Sequence, residues 1–429
     1  MKKVFKVTSI LLALIAITAA SACTPPPETP IYNENVTISS NDFNGKTFPF
    51  LYIDCSSSIT KEAYSECKIT VNNTDEEYIL DEASARIKGR GNSTWGMPKK
   101  PYKIKFDSKV DLFGNGAAKE WVLLANYCDK SLSRFIMASE IGLALGLTET
   151  SGTQPVNVML NGTYQGVYLV CEQVEIGKNR VNIKSDLTDI DTGYLIEMDA
   201  RAADEGTEGV DYFTMGGYMF ALKDPDREDK DFKDENFEFI VNYFDQCYEA
   251  ITGNEYEKVK AHIDVTSFAK CYIVHEMLGC TDVSYSSFFL YKKAGDKLYA
   301  GPVWDFDISC GNCDYQDTST ETDELYARDE NLFYKNLMRF PEFKAKVADI
   351  LNTNKDLLKA KIDEVYEYQM EYKENNEKNF EVWSILDKYV WPNPKKIVKL
   401  KTFEKQLSFV KDWITDKLDF MLTQYKKVG

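Results

Sequence analysis

The run Phe288-Phe289-Leu290-Tyr291-Lys292-Lys293-Ala294-Gly295-Asp296-Lys297-Leu298-Tyr299-Ala300 reads as two short strands, Phe288 to Lys292 and Lys297 to Ala300, turned at Ala294-Gly295-Asp296. Thr281-Asp282 precedes it, and Gly301-Pro302-Val303-Trp304-Asp305-Phe306-Asp307 follows it. A β-ribbon with acidic residues at both ends interrupts a region whose apolar spacing is otherwise helical. On its upstream side Asn236 to Thr252 and Ser267 to Leu278 carry i, i+3, i+4 spacing. Downstream, helices resume near Glu330. The last of them places Phe403, Leu407, Val410, Ile414, Leu418 and Met421 on one stripe.

Further upstream the period changes from helical to two. Phe48 to Ile53 and Cys67 to Val71 are short strands. Tyr102-Lys103-Ile104-Lys105-Phe106 alternates strictly, with aromatic and aliphatic groups on one face and two lysines on the other. Trp121 to Asn126 is another apolar run. Pro155 to Leu160, Asn161-Gly162 and Tyr164 to Cys171 make a hairpin, since Asn-Gly suits a type I′ turn. Gly193 to Met198 is expected to close this β-rich half. One helix intervenes: Asp129 and Ser131 are its candidate N-caps, Leu132, Phe135, Ile136, Ser139 and Leu143 its inward stripe, and Gly146 its stop. The expected fold is α+β, with a β-rich N-terminal lobe over about 46–200 and a mostly helical C-terminal lobe over about 201–425.

The 429 residues exceed what one core usually supports, and 44% hydrophobic with 28% charged residues is ordinary globular composition. A net charge of -17 argues against nucleic acid, whose phosphates demand a surplus of Lys and Arg. Lys2, Lys3 and Lys6 precede the apolar Ile10 to Thr18, which is too short to span a bilayer, and Ala20-Ser21-Ala22 then leads into Cys23. This pattern reads as a lipoprotein signal over 1–22 with Cys23 lipidated, followed by a Pro-rich tether over 23–45; Ala20-x-Ala22 also fits an ordinary signal peptidase site, with Cys23 incidental. The body is then expected on the outer face of a bacterial cell membrane. Nine cysteines remain after Cys23 at irregular spacing, which does not suggest a disulfide framework. With only two histidines, the lone Cys310-Gly311-Asn312-Cys313 is weak evidence for zinc.

Charged groups beside Val303, Trp304, Phe306 and Ile308 must be paired or bind a cation to offset desolvation. If Trp304 to Ile308 is extended, Asp305 and Asp307 face one side and can share Mg²⁺ or Mn²⁺. The ribbon returns the chain so that Asp282 can sit near Asp305, one aspartate orienting an attacking hydroxyl and the other holding a metal on nucleotide phosphates. Arg90-Gly91-Asn92-Ser93-Thr94 can offer backbone N–H groups and hydroxyls to phosphate, with Lys103 or Lys105 neutralising charge and Glu140 a potential partner for such a lysine. The loop also reads as plain turn chemistry, strand lysines are commonly solvated, and an Asp pair can merely cap a turn. An Asp-x-Asp glycosyltransferase would also use Asp305 and Asp307, though it calls for an early βαβ half. A glycosidase carboxylate pair stays open among 68 acidic residues, whereas two histidines and no Gly-x-Ser-x-Gly disfavour a hydrolase triad.

Arg90-Gly91-Asn92-Ser93-Thr94-Trp95, Lys100-Pro101-Tyr102-Lys103-Ile104-Lys105-Phe106, Trp121 to Tyr127 with Asp129-Lys130-Ser131, Gly166-Val167-Tyr168-Leu169 with Glu172-Gln173, and Gly301 to Asp307 together resemble the CotH family of atypical kinases. The resemblance spans about residues 46–425. It implies an atypical protein-kinase-like two-lobe fold and transfer of phosphoryl groups from ATP, with Mg²⁺ or Mn²⁺, to Ser or Thr of a secreted or surface protein. By that likeness Asp282 is the catalytic-loop aspartate and Asp305 the metal-binding one. Arg90, Asn92, Ser93, Thr94, Lys103, Lys105, Glu140 and Glu172 are then nucleotide-site residues. Where kinases carry a metal-binding Asn, five residues after the catalytic Asp, this chain has Ser287; Asp307 or Asn312 are the substitutes, and a kinase-like surface scaffold without turnover is the alternative.

Overall fold

The computed structural model describes residues 32–316 and 318–426. Cys23 and the signal segment lie outside the described residues. Seven strands close into a barrel: β1 (Phe50–Asp54), β2 (Ser65–Asn72), β3 (Leu80–Gly89), β4 (Tyr102–Val110), β5 (Ala118–Leu124), β6 (Thr153–Leu160) and β7 (Thr163–Glu172), in the order β1-β2-β3-β4-β5-β7-β6. Neighbours run antiparallel except β1 and β6, whose parallel pairing closes the ring. The alternation of the sequence fills it: Leu51, Ile53, Ile69, Val71, Ile87, Ile104, Phe106, Trp121, Leu123, Val158 and Val170 are all buried in one cluster. Asn161 and Gly162 take φ of +49° and +78°, as a type I′ turn requires. Strand β7 is buried on both sides, with Tyr168 and Val170 inside the barrel and Leu169 and Cys171 outside.

Five further strands form a second sheet: β8 (Tyr194–Met198), β9 (Tyr212–Met215), β10 (Tyr218–Asp224), β11 (Phe288–Lys292) and β12 (Leu298–Ala300), in the order β12-β11-β8-β10-β9. The β11–β12 ribbon is the one read from sequence. Two expectations are corrected here. Gly193 to Met198 does not close the barrel: β8 pairs with β10 and β11, so the sheet crosses the boundary expected at residue 200. Residues 32–45, expected as tether, pack on the body, with Ile38 buried and Asn33 N–H donating to Val382 O at 2.8 Å.

Helices cover the sheet and one side of the barrel. The expected ones appear as Arg134–Ala144, Asp234–Thr252, Val265–Met277 and Phe403–Gln424, and the longest is Pro341–Glu371. All six positions of the stripe predicted for the last helix are buried. Arg134–Ala144 is enclosed nearly all round rather than along one stripe, and Leu143 is the exception, at 37% exposed. Two buried ion pairs fix the loops around the central cavity. Lys417 Nζ lies 3.2 Å from Glu276 Oε1, both fully buried, and the Glu276 carboxylate accepts from the N–H groups of Tyr326 and Arg328 at 2.8 and 2.9 Å. The Asp129 carboxylate accepts from Arg134 N–H at 2.9 Å and pairs with the Arg134 guanidinium, whose Nε donates to Ser309 O at 2.8 Å.

Candidate active site

A cavity of about 820 Å³ is lined by the β3–β4 loop, the residues leaving β5, strands β8 and β10, and the segments 281–289 and 304–308. The sequence-selected Arg90, Asn92, Ser93, Thr94, Asp282, Ser287, Asp305 and Asp307 all line it. In the β3–β4 loop, Gly91 has φ +81°, and a Cβ there would meet Thr94 Oγ1 at 2.1 Å. Glycine is therefore required to fold the loop tightly enough to present its hydroxyls. Arg90 lies over the Trp304 ring at 5.8 Å, which ties this loop to the aspartate segment.

The segment 304–308 is not extended. Asp305 has φ +65°, and Ser309 N–H closes a turn on Phe306 O at 3.1 Å. Trp304, Phe306 and Ile308 still go inward, but the left-handed residue breaks the alternation that would have aligned Asp305 with Asp307. Asp305 is exposed to the cavity and accepts from Ser287 Oγ at 3.3 Å. Asp307 turns toward Cys128, whose Sγ donates to its Oδ2 at 3.1 Å. Burial pushes the Asp282 carboxyl up to about 7, the Asp305 charge adds to the rise, and Arg201 opposes it. Asp307 is raised for the same first reason, with Asp305 next. The three aspartates thus share one electrostatic environment.

Several sequence-selected residues lie elsewhere. Lys103 and Lys105 leave β4 on its outward face and both pair with Glu120 of β5, Lys105 at 2.7 Å. Burial would raise Glu120, but these two hydrogen-bonded lysines hold it below the usual range. Glu140 faces Lys361 of the helix Pro341–Glu371 at 3.6 Å rather than either lysine. Glu172 ends β7, accepts from Gly152 N–H at 3.2 Å and sits 4.0 Å from Arg180; burial pushes it up to about 7. Asn312 is fully buried and spends its amide on the carbonyls of Cys128 and Asp307 and on Asn393, so it braces the Asp307 backbone instead of offering a ligand.

Sequence reasoning missed the floor of the cavity. Glu197 of β8 accepts from Ser287 N–H at 3.1 Å and pairs with Lys223 of β10 at 3.2 Å; Asp199 pairs with Arg201 at 3.1 Å. The signal was there: a carboxylate inside Leu195-Ile196-Glu197-Met198 cannot be buried unpartnered. Lys99 also lines the cavity, but its ammonium is consumed by Val167 O and Asn379 Oδ1. Among the described cations lining the cavity, Arg90 alone is committed to neither a carboxylate nor a carbonyl.

Among the described residues no three His, Cys, Asp or Glu side chains converge as a ready-made metal cage. Asp305 with Ser287 Oγ, and Asp307 nearby, are a hard-oxygen donor set of the kind that holds Mg²⁺ through one or two carboxylates plus substrate phosphates. The residues fit such an ion on that basis.

The family model described as CotH kinase protein matches residues 87–421. This chain belongs to the CotH kinase family. Nothing among curated proteins matches it. The match takes in the β3–β4 loop, the second sheet and every cavity residue named above, so the α+β architecture belongs to a kinase-like family. Kinase-type phosphotransfer, and with it ATP and a divalent cation in general, is the chemistry that membership suggests.

Proposed function

We propose that this CotH-family protein transfers the terminal phosphoryl group of ATP to a Ser or Thr hydroxyl of a secreted or surface protein, with the barrel and the sheet-and-helix part acting as the two lobes of a kinase. The observation that carries the reading is that Asp282 and Asp305 line one cavity together with the Arg90–Thr94 loop. Asp282 accepts the proton of the acceptor hydroxyl as its oxygen bonds to the terminal phosphorus and the bond to the ADP oxygen breaks. Ser287 orients the Asp305 carboxylate, and Arg90 with the loop N–H groups draws in the phosphates. A divalent ion bound at Asp305 supplies neutralisation of phosphate charge. Cys23, lipidated, holds the body on the outer face of the membrane. An Asp-x-Asp glycosyltransferase reading loses its ground, because the first half is a closed barrel rather than a βαβ unit.

A kinase-like scaffold with little turnover is the second reading. Its support is Ser287 in place of Asn and the full commitment of Asn312 to backbone contacts. Calorimetric titration with ATP and Mg²⁺, repeated on Asp305→Ala, tests binding, and the expected result is affinity that the substitution abolishes. Radiolabel transfer to a Ser/Thr protein then separates the two readings.

A further inference from the structure

With Lys103 and Lys105 spent on Glu120, the positive charge a triphosphate needs has to come from other elements. Strand β10 supplies it through an irregularity. Leu222 pairs with Ile196 and Asp224 with Leu195, so Lys223 is the extra residue of a β-bulge and has no opposite number on β8. Bulges of this kind re-aim a side chain. Lys223 lines the cavity with a side chain 40% exposed, while the carboxylate it meets, Glu197, is only 10% exposed. The ammonium therefore sits on the open side of the pair and the carboxylate on the closed side.

Glu197 does a second thing. Its other oxygen accepts from the N–H of Ser287, a residue in the left-handed region at φ +63°, and Ser287 Oγ meets Asp305 Oδ2. One buried carboxylate thus fixes both a cation and the serine that orients Asp305. We infer that Lys223 is a phosphate-binding cation of this cavity and that Glu197 is the positioning residue that holds Lys223 and, through Ser287, Asp305. The inference rests on the ATP reading above. Lys223 is charge-balanced by Glu197 until a polyphosphate arrives, and its exposed ammonium then has donors to share with phosphate oxygens.

The test is calorimetric titration of the purified full chain with ATP, ADP and AMP in Mg²⁺, on wild type, Lys223→Ala, Lys223→Arg and Glu197→Gln, with thermal melts to confirm folding. Lys223→Ala is expected to weaken ATP roughly ten- to a hundredfold, a charged hydrogen bond's worth, and to leave AMP nearly unchanged. Lys223→Arg restores most of the ATP affinity, and Glu197→Gln lowers the transfer rate more than it lowers affinity. A structural ion pair would shift melting without sorting the nucleotides by phosphate number. The inference is overturned if Lys223→Ala binds ATP like wild type in a protein whose Asp305→Ala variant has lost it. If wild type binds no ATP, the functional reading itself fails and takes the inference with it.

Discussion

In the barrel, Lys103 and Lys105 stand on the outward face of β4 and close on Glu120 one strand away, in regular register. In the second sheet, Lys223 leaves a bulge and meets Glu197 on the cavity floor. Both are cross-strand Lys–Glu contacts, yet one lies on a repeating surface and the other where the ladder is broken. The comparison teaches that regular alternation here builds a container, while the reactive groups cluster where regularity fails. Asp305, Ser287 and Cys310 all have positive φ, and all lie in or beside the cavity segment.

The sharpest way to break that contrast is Asp282→Asn. Transfer is expected to fall about 10²–10⁴-fold with ATP affinity kept, read by single-turnover radiolabel assay alongside calorimetry. Next in size is Lys417→Met, which removes the cation paired with Glu276 at zero exposure. Unfolding stability is expected to drop by about 3–5 kcal/mol in urea melts. The corresponding barrel change, Lys103→Ala with Lys105→Ala, should cost less, about 1–3 kcal/mol, because Glu120 keeps partial contact with water, and leave ATP affinity untouched. Equal losses from the two would erase the distinction.

Acid and base act on the two regions with opposite signs. His275 is buried behind the aspartate segment, stacked on Phe306 at 5.4 Å, and burial pushes it down to about 4. Its folded pKa lies below the unfolded value, so the stability it contributes is present above about pH 6.5 and drains away toward pH 4. The full swing is about 3 kcal/mol, and His275→Gln should flatten that limb of a pH series of melts. Glu172, at the end of barrel strand β7, has its folded pKa raised to about 7 by burial. It therefore costs nothing at pH 4 and most at pH 8. Glu172→Gln is expected to raise stability by about 1–2 kcal/mol at pH 8 and to change nothing at pH 4.

Much of the container could be read from the sequence. The strict alternation at Tyr102 to Phe106, the Asn161-Gly162 turn and the stripe of the last helix are local patterns, and each matches the structure. The floor of the cavity could not be read the same way. Strand β8 is joined to β10 and β11, and β11 lies almost a hundred residues on, so nothing in its local period reveals its neighbours. Lys103 and Lys105 looked available because their partner, Glu120, is adjacent only across a strand pairing. Asp305 and Asp307 parted because the left-handed backbone at Asp305 breaks the extended run that would have aligned their carboxylates, although Trp304, Phe306 and Ile308 still point inward.

The Arg134 guanidinium, hidden at the start of a helix inserted between barrel strands β5 and β6, grips the carbonyl of Ser309 just beyond the aspartates. Helix and aspartate turn are thereby riveted into a single piece.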